Sequence, residues 1–267
     1  MRWQPVAAIV LRQWYLMRGS PTRILPIFAW VTIDIVLWGF ITRYLNSFTG
    51  NGVDFVPRLL GAVLLWDFFT RIMQGVTTAF LEDIWSRNFL NIFATPLTTT
   101  EYVSGLVLTS IITGLLGLLV MLLMATSIFG LSFLSYGLAL IPFLATLFLF
   151  GIALGVIASA MVLRLGPASE WLVWPMPALL APFAGVFYPL STLPAWMQAV
   201  GHLLPPSYVF EGMRSIVNGH SFDTTMLFTG LLMSLGYVLL GTYVFQRIYR
   251  YAVRSGLLAR YSAESTG

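Results

Sequence analysis

Asp34, Asp67 and Arg71 stand inside long apolar stretches of the chain. A charge at the bilayer centre is destabilising by roughly 2.5–3.5 kcal/mol even on lenient scales, so such residues pair or face a wet cavity. Asp67 and Arg71 are one helical turn apart and can pair directly. Two chemistries fit the trio. One is a buried network that fixes the first span against the second. The other is a polar lining that meets a substrate on its path. A proton relay ranks third, because no intramembrane histidine and no chain of carboxylates accompanies them.

Other chemistries lack their residues. The fourteen basic residues are all arginine, and cysteine is absent. Disulfides, thiolate metal sites and Cys nucleophiles are therefore excluded. So are a P-loop lysine, a Schiff-base lysine and a Ser-Lys dyad. His202 and His220 are the only histidines, and Glu211 and Asp223 near them form no ligand motif, so no metal is expected. There is no G-x-S-x-G and no H-E-x-x-H, which leaves an intramembrane enzyme without a nucleophile–base set.

The elements that position these residues are membrane spans. Of 267 residues, 58% are hydrophobic and only 9% charged, too few charges to cover a soluble domain. About 20 apolar residues cross ~30 Å of hydrocarbon. Six runs qualify: Ile24–Arg43, Val56–Phe80, Val103–Phe129, Tyr136–Leu163, Trp171–Tyr188 and Thr224–Tyr249. The fifth carries Pro175, Pro177 and Pro182 and is expected to kink. No cleavable signal peptide is expected before the first. Ten arginines fall on one side of this topology and three on the other, with Arg71 inside the second span. That asymmetry places both termini in the cytoplasm. The basic pI near 9.6 then reflects topology and contact with anionic membrane lipids, with no nucleic-acid partner.

Between and around the spans, three segments stand out. Residues 1–23 hold Trp3, Val6, Val10, Trp14 and Met17 at helical spacing, with Gln4, Arg12 and Arg18 off that stripe. This predicts an amphipathic helix lying in the cytoplasmic interface. In the 82–101 connection, Ile84, Trp85, Phe89, Leu90, Ile92 and Phe93 predict a short helix. Ser86, Arg87, Asn88 and Asn91 are available on its other side. Thr95-Pro96 ends it, and Thr98 with Glu101 has the spacing of a capping box that starts the third span. The 189–223 connection is apolar yet divided by Pro189, Pro194, Pro205 and Pro206. It predicts two short helices, one from Pro194 to about Leu204 and one from Ser207 to Val217, in a re-entrant outer hairpin. Small residues at four-residue spacing, Ser110/Gly114, Gly151/Gly155/Ser159 and Gly230/Ser234, permit close packing within or between copies. The whole chain, 1–267, is expected to form one all-α transmembrane domain.

This pattern resembles the membrane permease subunits of ABC type-2 exporters. The likeness is carried by Gly185-Val186-Phe187-Tyr188-Pro189-Leu190, Leu193-Pro194-Ala195-Trp196, Leu204-Pro205-Pro206-Ser207-Tyr208 and Glu211-Gly212-Met213-Arg214, with Ala94-Thr95-Pro96-Leu97 and Glu101 as a second match. The resemblance implies a bacterial inner-membrane exporter made of two such permeases, as a homodimer or pseudo-symmetric pair, and two separate ATPase subunits. ATP and Mg would be held by those partners, with no cofactor and no catalysis in this chain. It further implies that Ser86, Arg87, Asn88, Phe89 and Asn91 contact the ATPase, that Phe187, Tyr188, Pro189 and Leu190 stand at the outer gate, and that Glu211 and Arg214 pair to hold the hairpin. Asp34, Asp67 and Arg71 belong to no quoted family signature. The competing expectation is a non-transporting membrane scaffold or assembly factor with the same fold.

Overall fold

The computed structural model describes residues 2–49, 55–86, 88–131, 137, 140–219 and 223–257, and every regular element among them is helical. Helix α1 (Trp3–Arg18) precedes α2 (Pro21–Thr49). A widened turn at Val56–Leu60, where Pro57 supplies no N–H, runs into α3 (Gly61–Trp85). The short α4 (Phe89–Phe93) leads to α5 (Thr99–Phe129) and then α6 (Leu140–Leu165). After it come α7 (Glu170–Val173), α8 (Met176–Ala184), α9 (Ala195–Gly201), α10 (Pro205–Val217) and α11 (Thr224–Arg254).

Among the described residues, five helices are long and apolar enough to cross a membrane: Phe28–Phe48, Val56–Trp85, Thr99–Phe129, Leu140–Leu165 and Thr224–Arg254. They correspond to five of the six apolar runs. The remaining run, Trp171–Tyr188, is not one helix. Pro175 separates α7 from α8, and Gly185 ends α8 in the left-handed conformation at φ +61°. Its longest helical piece has nine residues, too short to span alone.

Helix α3 is the hub. It packs against α5 on one side and α6 on the other, and α6 in turn carries α11. Phe68, Phe69, Ile72, Met73 and Phe80 of α3 are sealed in this core. The small residues permit the close approach. A Cβ on Gly155 would stand 2.7 Å from the Met73 carbonyl oxygen, and one on Gly151 would stand 3.0 Å from that of Phe69. Ser110 donates to the Ile72 carbonyl at 2.8 Å, and Ser234 to that of Thr146 at 3.0 Å. The small-residue stripes thus serve packing inside this chain. Helix α2 is held mainly by α5. It exposes Leu37 and Phe40, as α11 exposes Leu232 and Leu239, surfaces suited to lipid.

Helix α1 lies against α5, but on a different face from the expected stripe. Val6, Ile9 and Gln13 are buried, whereas Trp3 and Trp14 are 66% and 50% exposed. The two indoles are left free for an interfacial position, where amphipathic rings are favoured. The turn of the helix also brings Arg12 inward, for a reason given below.

Helices α9 and α10 meet at Leu204, whose extended backbone precedes Pro205. That restriction ends α9 at Gly201, three residues short of the expected end, and lets Pro205 start α10 two residues early.

Candidate functional site

A cavity of about 690 Å³ opens among α1, α2, α3 and α5, with Trp174 from the α7–α8 connection at its edge. Its polar wall comes from one face of α3. Asp67, Thr70, Arg71, Gln74, Thr78 and Glu82 all line it, at helical spacing. At 1.5 Å per residue this stripe runs about 22 Å along the helix. Thr109 and Thr113 of α5 close it from the other side, and Gln13 of α1 stands at the end nearest Glu82. Gln13 donates from Nε2 to the Ala79 carbonyl at 3.1 Å, which pins α1 to the rim.

The three intramembrane charges all face this cavity. Arg71 donates from Nε to Asp67 Oδ2 at 2.8 Å, the i,i+4 pair that the spacing allows. Asp34, on α2, is half-buried and close enough to feel both charges. It has neither a hydrogen bond nor an ion-pair partner among the described residues. Its helical neighbour Trp30, one turn earlier, lines the same cavity. Among the described residues the lining therefore includes the carboxyl groups of Asp34, Asp67 and Glu82, the Arg71 guanidinium and two indoles.

Most of this wall escapes a residue-by-residue inspection of the sequence. Thr70, Gln74, Thr78 and Glu82 are unremarkable singly in a span that is mostly apolar. The signal is their shared period with Asp67 and Arg71 on a helix whose remaining faces are mostly apolar.

At the α1 end, a second cluster ties three elements together. Asp83 is fully buried. It accepts from Arg12 Nη2, and from the Tyr102 hydroxyl at 2.7 Å. A buried carboxylate needs such partners, and Arg12 turns inward to supply one. Arg2 donates to Glu101 through its backbone N–H at 2.9 Å and its Nε at 3.1 Å, and also to the Pro96 carbonyl. Thr98 and Glu101 form the reciprocal capping box at the start of α5, at 3.2 and 3.1 Å. The N-terminal helix is thus clamped to both ends of the 82–101 connection.

Within that connection, Ser86 and Asn91 are exposed and Asn88 is half-buried, with Asn91 donating to Asn88 Oδ1 at 3.1 Å. Arg87 lies outside the described residues. Phe89 is only 1% exposed, so its side chain is not on the outward surface in this structure. It packs at 5.6 Å on Phe80 and 4.8 Å on Phe93, and Phe93 in turn meets Tyr102 at 4.9 Å and Tyr249 at 4.8 Å. These rings root α4 in the bundle.

The residues from Gly185 to Leu190 are held by α10. Glu211 Oε1 accepts the Leu190 N–H at 2.7 Å and Arg214 Nη2 at 2.9 Å. Arg214 Nη1 donates to the Gly185 carbonyl at 2.7 Å. The Tyr188 hydroxyl donates to the Pro182 carbonyl at 2.9 Å, and Pro189 leads into a 3-10 turn at Leu190–Thr192. Phe187 stacks on Trp38 of α2, centroids 5.3 Å apart and planes 13° from parallel. One carboxylate and one guanidinium, three residues apart, therefore fasten this turn to α10.

A family model described as ABC-2 type transporter matches residues 5–218, from α1 through α10. The chain belongs to the ABC-2 type transporter family. No curated protein matches it in sequence. As an ABC-2 type transporter chain it is a multi-pass membrane permease of an ABC system. The family match takes in the polar cavity and both clamped segments, and only α11 lies wholly beyond it.

Proposed function

We propose that the chain is the transmembrane subunit of an ATP-driven exporter in a bacterial inner membrane, working as a homodimer with two copies of a separate ATPase subunit. ATP and Mg belong to that partner. The α7–α8 segment and the following hairpin complete a sixth, broken crossing, which puts both termini in the cytoplasm, in line with the ten-to-three arginine asymmetry. The clamped 82–101 connection is then the ATPase-coupling region, with Ser86, Arg87, Asn88 and Asn91 as contacts and Phe89 as their anchor. Phe187, Tyr188, Pro189 and Leu190, held by Glu211 and Arg214, form the outer gate.

One observation carries this reading: a polar cavity that runs from the membrane interior to the end where α1 and α4 are clamped. A scaffold has no need of a 22 Å polar stripe that leads from inside the bilayer to its cytoplasmic face (about 15 residues of helix). A transporter does, because a pathway must replace the water its cargo leaves behind.

The test is co-purification with the cognate ATP-binding cassette subunit. The chain alone should show no ATPase activity. In the complex, Arg87→Glu should abolish permease-dependent stimulation of the ATPase while the permease keeps its thermal stability. Unchanged stimulation in that variant would overturn the coupling assignment.

A further inference from the structure

The chemistry of the cavity says more about its cargo than the family does. Asp34 is the observation that points to a ligand. It lines the 690 Å³ cavity from the middle of α2, with no hydrogen-bond or ion-pair partner among the described residues. Asp67 and Arg71 already neutralise each other at 2.8 Å, so neither offers Asp34 a free counter-charge. Beside that pair, Asp34 is the lining carboxylate that no described guanidinium pairs with. An anionic cargo would meet repulsion there and a neutral sugar would leave Asp34 uncompensated. Trp30, one turn from Asp34, and Trp174 add two indoles to the same wall. Indole faces attract cations and cover apolar rings. The volume falls in the range of pockets that enclose drug-sized molecules, about 300–1,000 Å³.

We propose that this cavity takes an amphipathic organic cation, a positively charged centre on an aromatic body, with Asp34 as the counter-ion and Trp30 and Trp174 as the aromatic walls. The proposal rests on the exporter reading for its biological sense, since it names the class of cargo. Its physical content is a binding preference of the permease itself.

Two ions of nearly the same shape and opposite charge make the test. Tetraphenylphosphonium and tetraphenylborate are each titrated by equilibrium dialysis against the full-length protein in phosphatidylcholine nanodiscs, with empty nanodiscs subtracted. The cation should bind saturably and the anion should not. Asp34→Asn should weaken the cation by at least about tenfold, as loss of one partner of a desolvated charge pair does. Asp34→Glu should keep most of the affinity. Should the Asn variant fail to fold, the contrast between the two ions and the Asp34→Glu titration decide alone. Absence of saturable cation binding, equal binding of the two ions, or an unaltered affinity in a folded Asp34→Asn protein each overturns the proposal. Equal binding is also the result expected if a second copy of the chain fills the cavity or supplies the counter-charge. No ATPase subunit is used, so failure here leaves the coupling experiment unaffected, and failure of coupling leaves this measurement valid.

Discussion

The Arg12–Asp83–Tyr102 cluster yields an asymmetry that a simple surface salt bridge would not. Asp83 is completely buried, whereas the Arg12 side chain keeps 26% of its surface in contact with solvent. The two partners should therefore fail differently. Arg12→Ala leaves a buried carboxylate with only the Tyr102 hydroxyl for compensation. Breaking a buried pair from that side destabilises by about 3–5 kcal/mol. Asp83→Asn keeps an oxygen to accept from Tyr102 at the position now 2.7 Å away. It strands a guanidinium whose Nη1 is buried without a partner but whose side chain still reaches solvent. The loss is then one charge-assisted hydrogen bond, about 1.5–3 kcal/mol.

A double-mutant cycle measures the difference. Each variant is unfolded by sodium dodecyl sulfate titration from mild detergent, followed by circular dichroism. Arg12→Ala should be the worse single variant. Adding Asp83→Asn to it should recover stability, because the uncompensated charge disappears with its partner. The coupling must then exceed the Asp83→Asn loss itself, about 1.5–3 kcal/mol, the upper part of the range for residues sharing a network. Equal single effects, or effects additive within about 0.5 kcal/mol, would show that Arg12 and Asp83 are not coupled and would refute the account of why α1 turns Arg12 inward.

Two further outcomes follow from the packing. Gly155→Ala brings a methyl within 2.7 Å of the Met73 carbonyl and of Val76 Cβ, so α3 and α6 must separate. The expected loss is about 1–3 kcal/mol in the same unfolding titration, and a neutral result would contradict the backbone contact. Glu211→Ala removes the acceptor for both the Leu190 N–H and Arg214, so the Leu190 amide should exchange with deuterium faster while amides in α3 stay protected. Unaltered exchange at Leu190 would show that the carboxylate does not hold the turn.

Local rules carried the sequence reading a long way. The Asp67–Arg71 pair, the Thr98–Glu101 capping box and the proline breaks each depend on residues within a few positions of one another, and spacing alone specifies them. The failures are of another kind. Arg12 meets Asp83 across 71 positions, a partnership invisible until α1 docks on the bundle. Its consequence is that the buried face of α1 follows Val6, Ile9 and Gln13 and leaves the tryptophans outside. The run Trp171–Tyr188 has the apolar content of a span, but composition does not register that Pro175 and Gly185 cut it into pieces. Phe89, on the apolar side of its short helix by spacing, lies inside with the ring cluster of Phe80, Phe93 and Tyr102, away from the surface contact that the resemblance implies for it.

The same geometry connects the cavity to the clamps. Glu82 and Asp83 are neighbours on α3, one facing the cavity and the other held by Arg12. Gln13 follows Arg12 on α1 and stands on the cavity rim, bonded to the Ala79 carbonyl. Two consecutive residues of α1 thus grip two adjoining turns of α3, one for the cluster and one for the rim. Helix α1 cannot tilt or slide without moving Gln13, Leu16 and Met17, which line the cavity. Helix α4 cannot be pushed without loading Phe89 and Phe93 onto Phe80 and Tyr102, and Tyr102 carries the load to Asp83. In such close-packed interiors a displacement is passed on rather than absorbed. The α1 wall of the cavity is therefore held by the same contacts that fix the position of the 82–101 connection.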